Sequence, residues 1–210
     1  MDDLTINGIT HLTDADIEDA NAFGYAVKLL GVAQRVGQDA NAISIDVSPY
    51  LVPFTHPLAT VHNENNAVLV NGESVGEIML YGPGAGELPT ANSVLSDLTN
   101  IATDIALNTP GRPFNSFNQN LDIAKPSQRL SRRFIVIEVD DTPGAMYSVT
   151  GMFAAAKISF SDLKQTPAAN GTARLVALTH PASDAQLNVI QTTIRNADGI
   201  NLAAEYKIFS

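Results

Sequence analysis

The stretch Phe134-Ile135-Val136-Ile137-Glu138-Val139-Asp140-Asp141-Thr142-Pro143-Gly144 decides how the second half of this chain is read. Its apolar, β-branched start reads as a strand, and Asp140 to Gly144 as the turn that ends it. Downstream the pattern predicts a helix from Ala145 to Ala156, a strand from Ile158 to Gln165, a loop from Thr166 to Gly171 and a strand from Thr172 to Thr179. A helix from Ser183 to Asn196 and a strand from Ile200 to Lys207 complete a βαββαβ order. That order puts both helices on one face of an antiparallel sheet. The other face then needs a cover, from a partner sheet or another domain.

Upstream of the strand, residues 108–131 shift to Pro, Asn, Ser, Gln and Arg, with Pro110, Pro113 and Pro126 and no sustained apolar period. This composition marks a linker between segments 1–107 and 132–210. Arg129, Arg132 and Arg133 at its end read as a solvated flank of the following strand.

In the first segment, Thr13 stands before acidic first-turn residues, and Ile17, Ala20, Phe23, Val27 and Leu30 follow at helical spacing. The expectation is a helix from about Asp14 to Arg35, with Gly24 in its interior marking close packing against a neighbour. Ala42 to Val47 alternates like a half-buried strand. Asn66 to Val70 and Val75 to Tyr81 follow as a hairpin with Asn71-Gly72 as its turn signal. A helix from Leu88 to Leu107 closes the segment.

Between that hairpin and that helix lies Tyr81-Gly82-Pro83-Gly84-Ala85-Gly86-Glu87-Leu88-Pro89-Thr90-Ala91. Clustered glycines let backbone come close to another group, because no Cβ intervenes. Pro89 suits a first helical turn, and Thr90 adds a hydroxyl beside amides still unpaired. Such a loop can receive a polar or anionic group, or it can be a tight strand-to-helix corner.

Composition narrows the function classes. The 210 residues include 45% hydrophobic and 16% charged, a globular balance, and the formal net charge is -10 with only 12 Lys and Arg. No basic patch emerges to bind nucleic acid. The absence of cysteine removes disulfides, thiolate catalysis and cysteine-ligated zinc. The acidic start Met1-Asp2-Asp3 is unlike a signal peptide, and no apolar run approaches the roughly 20 residues of a membrane helix. A soluble, cytoplasmic protein is expected.

His56, His62 and Glu64 sit in one polar loop, but converging geometry is what makes a metal site, and no metal is expected. His11 and His180 are isolated. At the turn after the 134–139 strand, Gly144 permits close approach where helix amides are unpaired, and Asp141 is a candidate cap for that helix.

Several segments of the first half resemble homoserine dehydrogenase. They are Gly8-Ile9-Thr10, Asp16-Ile17, Gly24-Tyr25-Ala26-Val27-Lys28-Leu29-Leu30, His56-Pro57-Leu58-Ala59 and Asn66-Ala67-Val68. Gly76-Glu77 then runs into Tyr81 to Gly86, followed by Pro89-Thr90-Ala91 and Ser96-Asp97-Leu98. Asp141-Thr142-Pro143-Gly144, at the first strand-to-helix turn of a βαββαβ unit, similarly looks like an ACT domain. The resemblance implies an α+β chain: the C-terminal part of the family's catalytic and dimerisation domain over 1–107, then a ferredoxin-like ACT regulatory domain over 132–210.

The parent enzyme would interconvert L-aspartate 4-semialdehyde and L-homoserine with NAD(P), in threonine and methionine biosynthesis. The family's Rossmann domain and catalytic Lys have no match here, so no catalytic residue is assigned and this chain alone is expected to be inactive. Lys28 falls in the family's Gly-Tyr-x-x-Lys-Leu-Leu segment and reads as a snorkelling helix residue. By the same resemblance Gly84, Ala85, Gly86 and Thr90 line the nicotinamide side of the cofactor. Asp141, Pro143 and Gly144 would meet an amino-acid effector, threonine in this family. Glu77 reads as a substrate-side carboxylate or an ordinary strand acid. A homodimer through the catalytic sheet, the ACT domains or both is implied. The competing reading is a stand-alone amino-acid-binding ACT regulatory protein.

Overall fold

A computed structural model describes residues 5–37, 41–109, 121–168 and 171–209. In chain order the elements are β1 (Thr5–Ile6), α1 (Asp14–Ala22), β2 (Tyr25–Val36), β3 (Ala42–Pro53) and a 3-10 turn at Pro57–Thr60. There follow β4 (Asn65–Gly72), β5 (Gly76–Pro83), α2 (Glu87–Ala106), β6 (Asp122–Ile123) and β7 (Leu130–Asp140). The chain ends with α3 (Ala145–Ala155), β8 (Phe160–Pro167), β9 (Thr172–Thr179), β10 (Ala182–Ser183), α4 (Asp184–Arg195) and β11 (Ile200–Ile208). Pro110 and Pro113, near the start of the expected linker, lie outside the described residues.

The chain divides into two compact units, one formed by residues up to Thr55 together with those from Leu121 onward, the other by His56 to Asn120. This grouping differs from the segments 1–107 and 132–210 drawn from composition. Contacts between β3 and β11, far apart in sequence, bind the two ends of the chain into one body.

In the first unit the βαββαβ order is present as expected, with the sheet running β11-β7-β9-β8 and every neighbour antiparallel. Capping fixes its second helix: Ser183 accepts from the Gln186 amide and the Gln186 side chain accepts from the Ser183 amide. β7 is buried on both faces. Ile135, Ile137 and Val139 pack with Val149 and Phe153 of α3 and with Leu187, Ile190 and Ile194 of α4. Phe134 and Val136 point the other way, beside Val176, Leu178, Tyr206 and Ile208.

That second face is covered by the chain's own N-terminal part. Ala20 of α1, Tyr25 of β2 and Leu51 of β3 complete its apolar cluster. Phe23 meets Phe134 edge to face, with ring centroids 6.0 Å apart. The sheet is extended through β11, whose Lys207 and Ile208 pair in parallel with Tyr50 and Leu51 of β3.

The helix expected from Asp14 to Arg35 is corrected: it ends at Ala22, and residues 25–36 form a strand. Gly24 takes φ +85, a left-handed turn residue rather than an interior helical one. Strand pairing wins because β2 runs in continuous antiparallel register with β3, from Tyr25 opposite Pro53 to Val36 opposite Ala42. Lys28 is therefore a strand residue opposite Tyr50, and burial lowers its pKa.

Among the described residues of this unit, two carboxylates are buried. Asp16, 3% exposed, accepts from Arg174 Nη2 at 2.6 Å and from the Tyr206 hydroxyl at 2.9 Å. It also closes a capping box with Thr13, while Arg174 Nε donates to Asp19 at 2.8 Å. Asp46 accepts from Ser48 Oγ at 2.6 Å and Tyr50 at 2.9 Å, and pairs with Lys207 Nζ at 2.9 Å. Desolvation and the adjacent Asp46 push the Tyr50 phenol far above its ordinary range.

In the second unit β4 and β5 form a hairpin, from Asn65 opposite Pro83 to Gly72 opposite Gly76. The reversal is the three-residue loop Glu73-Ser74-Val75, one step past the Asn71-Gly72 signal, with Gly76 at φ +68. α2 follows the glycine-rich loop.

Truncating Phe134 to Ala should remove roughly 3–5 kcal/mol from the first unit, the range for emptying a fully buried aromatic site, measured by denaturant unfolding. For Asp16, desolvation raises the pKa, but the hydrogen bonds from Thr13, Tyr206 and Arg174 outweigh it and hold the pKa below 3.8. The stability it contributes is therefore complete above that value and lost as pH falls through the lower, folded value. Asp16→Asn should cost about 2–3 kcal/mol at pH 7 and much less at pH 2. Equal losses at both pH values would refute the charged role.

Candidate functional site

The glycine-rich corner joins β5 to α2. Gly84 donates its amide to the Glu64 carbonyl at 3.1 Å. The Asn66 side chain lies so close over Gly84 that a Cβ there would sit 1.6 Å from Asn66 Nδ2 and 3.2 Å from Asn66 Cβ. Gly86 takes φ +121 at the N-cap of α2, where no side chain caps the helix. Uncapped first-turn amides leave donors free for an outside acceptor. Thr90 donates its amide to Gly86 O at 3.2 Å, and the residue is exposed, as are Gly84, Ala85 and Gly86. The loop thus brings together all four residues expected at the cofactor, on one exposed helix start.

The second candidate is the turn after β7. Gly144 takes φ +97 as the N-cap of α3, again with no side-chain cap. Asp141 does not cap that helix: its carboxylate accepts from Gln165 Nε2 at 3.3 Å, and its amide donates to the Gly171 carbonyl at 2.9 Å. The reason is geometric, since the left-handed Gly144 stands between Asp141 and the helix amides. Asp141, Pro143 and Gly144 are all exposed, and so is Tyr147 on the first turn of α3.

His56 caps the 3-10 turn by accepting from the Leu58 amide at Nδ1, 3.2 Å. Among the described residues, no group of three His, Asp or Glu converges to hold a metal ion. Glu77 is an exposed strand residue opposite Asn71. No helix of the described residues is long and apolar enough to cross a membrane.

Sequence reading missed a charged cavity of about 500 Å³ in the first unit, bordered by α4, β11, the start of β7 and the middle of β3. Arg133 lines it and is 4% exposed, so the solvated flank expected for Arg133 is corrected. The signal was available: in a strand, Arg133 shares a face with Ile135 and Ile137, which alternation would bury. Its Nη2 bonds Asp184, and its Nε lies 3.1 Å from Glu205.

Residues 1–99 match the family model described as homoserine dehydrogenase. Over 209 residues the chain is 37% identical to the homoserine dehydrogenase of Bacillus subtilis (strain 168), which covers 99% of this chain and 47% of that protein. Homoserine dehydrogenase from Lactococcus lactis subsp. lactis is 30% identical over 99% of this chain and 48% of its own length. Among solved structures, a homoserine dehydrogenase from Thiobacillus denitrificans superposes with a TM-score of 0.84 at 26% identity, covering 100% of this chain and 48% of that one. The S. aureus homoserine dehydrogenase at pH 7.0 matches the same share with a TM-score of 0.64. The chain is homologous to homoserine dehydrogenases, which are oxidoreductases, along essentially its whole length. It spans about half the length of the curated relatives it matches.

Gly84→Ala should destabilise the hairpin and helix unit by roughly 1–3 kcal/mol, because Asn66 must move. Gly86→Ala should cost a similar amount through its backbone conformation. Adding Asn66→Ala should recover most of the Gly84→Ala loss and none of the Gly86→Ala loss, read as amide-exchange protection of residues 65–83.

Proposed function

We propose that the parent polypeptide is a homoserine dehydrogenase that interconverts L-aspartate 4-semialdehyde and L-homoserine with NAD(P), serving threonine and methionine biosynthesis in the cytoplasm. The observation that carries this is 37% identity along 99% of the chain to a named member of that group. Residues 1–107 are the later part of the catalytic and dimerisation domain, 108–131 the linker and 132–210 an ACT regulatory domain.

The nicotinamide supplies the hydride acceptor and donor. Toward it this chain offers the exposed backbone of Gly84, Ala85 and Gly86, the uncapped amides of α2 and the Thr90 hydroxyl. Small residues allow close approach, and donors at a helix start favour a carbonyl or anionic oxygen. The loop positions the cofactor and shields it from water; proton transfer is assigned to residues outside this chain. Assembly is a homodimer through the hairpin sheet, the ACT domains or both.

The regulatory reading rests on the βαββαβ topology and on the Asp141-Thr142-Pro143-Gly144 turn, where α3 begins without a side-chain cap. Asp141, Pro143 and Gly144 would receive the carboxylate of an amino-acid effector, threonine first. The same features favour a second reading, a stand-alone amino-acid-binding ACT regulatory protein.

With homoserine and NAD(P)+, the parent polypeptide should reduce the nucleotide, whereas the pure 210-residue chain should show no turnover. Turnover by the pure chain would overturn the assignment of catalysis to residues outside it. Threonine should raise the melting midpoint of the chain in proportion to the logarithm of its concentration above saturation. That shift, together with an inactive parent, would favour the stand-alone regulator.

A further inference from the structure

The dipeptide Asn-Gly stands at Asn7-Gly8, Asn71-Gly72 and Asn170-Gly171, of which Asn170 lies outside the described residues. It is chemically distinctive because glycine, with no Cβ, lets its own amide nitrogen reach the side chain of the preceding asparagine. The first two sites each follow a β-branched residue, Ile6 and Val70, so local sequence does not separate them. Exposure does not separate them either, since Asn7 and Asn71 both face solvent.

Backbone hydrogen bonding does. Gly84 donates to the Glu64 carbonyl, and Asn65 faces Pro83, which has no amide, so the hydrogen-bonded pairs of the β4–β5 ladder fall on the even-numbered residues of β4. Gly72 opposite Gly76 is such a pair, and the Gly72 amide is engaged. At the other site Asn7 donates its own amide to the Val47 carbonyl at 2.9 Å, just beyond the pairing of β1 with β3. Gly8 follows it out of the sheet. Its amide has no hydrogen-bond partner among the described residues, and a Cβ built on it would meet nothing within 4 Å. The same nucleophile is held in one site and free in the other.

We propose that Asn7 is a site of spontaneous deamidation in the folded protein and that Asn71 is protected. The Gly8 nitrogen bonds to Asn7 Cγ and gives up its proton, the Cγ–Nδ2 bond breaks, and ammonia leaves a five-membered succinimide. Water then opens the ring at either carbonyl, giving aspartate or isoaspartate at position 7. Water is the only reactant consumed, and each event adds one negative charge to a chain of formal net charge -10. In the isoaspartate form the main chain runs through the former side-chain methylene, which lengthens the link between β1 and the Thr13 cap of α1. β1 contributes only Thr5 and Ile6, opposite Asp46 and Val47, so its pairing is what gives way. α1 stays seated through Asp16, held by Arg174 and Tyr206. None of this rests on the dehydrogenase assignment.

The test is peptide mapping by mass spectrometry of the whole 210-residue chain, aged folded and denatured in mildly alkaline buffer made with heavy-oxygen water. In the folded chain Asn7 should convert to aspartate and isoaspartate carrying the oxygen label, while Asn71 keeps its amide over the same interval. In denaturant Asn71 should convert about as fast as Asn7, because only the fold protects it. Gly8→Ala should slow conversion at Asn7 roughly tenfold, equivalent to about 1.4 kcal/mol on the barrier. That variant should keep the melting midpoint, since the space around Gly8 is open. The isoaspartate form, separated by anion exchange, should lose exchange protection at the residue 7 amide and retain the melting midpoint. The proposal is overturned by retention of the Asn7 amide in the folded chain, by equal rates at Asn7 and Asn71 in the folded chain, or by an unchanged rate in Gly8→Ala.

Discussion

The first unit depends on one constraint: β7 is buried on both faces, while the two helices of its βαββαβ sheet cover only one. Ile135 and Ile137 satisfy α3 and α4, so Phe134 and Val136 must find their own cover. The chain supplies it from α1 and the β2–β3 hairpin. Each fully buried large side chain on that second face contributes about 1.5–3 kcal/mol relative to exposure, so the cover is integral to stability. This is why residues near the N-terminus and those near the C-terminus fold as one body.

Charge then determines how the cover is seated. Apolar surfaces slide, whereas hydrogen bonds are directional. Arg174 on β9 and Tyr206 on β11 both reach Asp16 on α1, and Arg174 also holds Asp19 one turn further on. Asp46, Tyr50 and Lys207 do the same where β11 meets β3. Replacing such buried pairs by well-packed apolar residues is often neutral in energy, so their role here is the registry of α1 and β3 on the sheet. Leaving one partner unpaired is what costs.

Much of the sheet was legible in the sequence. Alternation and turn residues placed every element of the βαββαβ unit within a few residues, and the demand for a second cover followed from topology. The segment after α1 was not legible, because Val27 and Leu30 continue a helical spacing that residues 14–22 begin. Only Gly24 signals the break, and a glycine reads equally as close packing. What decides it is pairing with β3, a contact between residues up to 28 apart along the chain, Tyr25 and Pro53. The glycine-rich corner was legible because Gly84 and Gly86 are required by local geometry. The Arg133 cavity was not, since its lining comes from five separated stretches of chain.

The second unit shows the opposite situation to β7. Val68 lies opposite Leu80 and Val70 opposite Ile78, so one face of the hairpin is apolar, and all four side chains are exposed in this chain. Along α2, Val94, Leu98, Ile101 and Ile105 recur at helical spacing and are exposed too. A two-stranded hairpin is marginal by itself in water and needs a third element against its apolar face. A helix of this length with no buried residue likewise lacks the packing that normally supplies most helical stability. The proposed homodimer gives the hairpin a partner, a second subunit, and the apolar stripe of α2 needs packing of its own. On that reading the uncapped start of α2 is held where the cofactor lies by contacts along the rest of the helix. Positioning of Gly84 to Thr90 then depends on apolar packing made outside this chain.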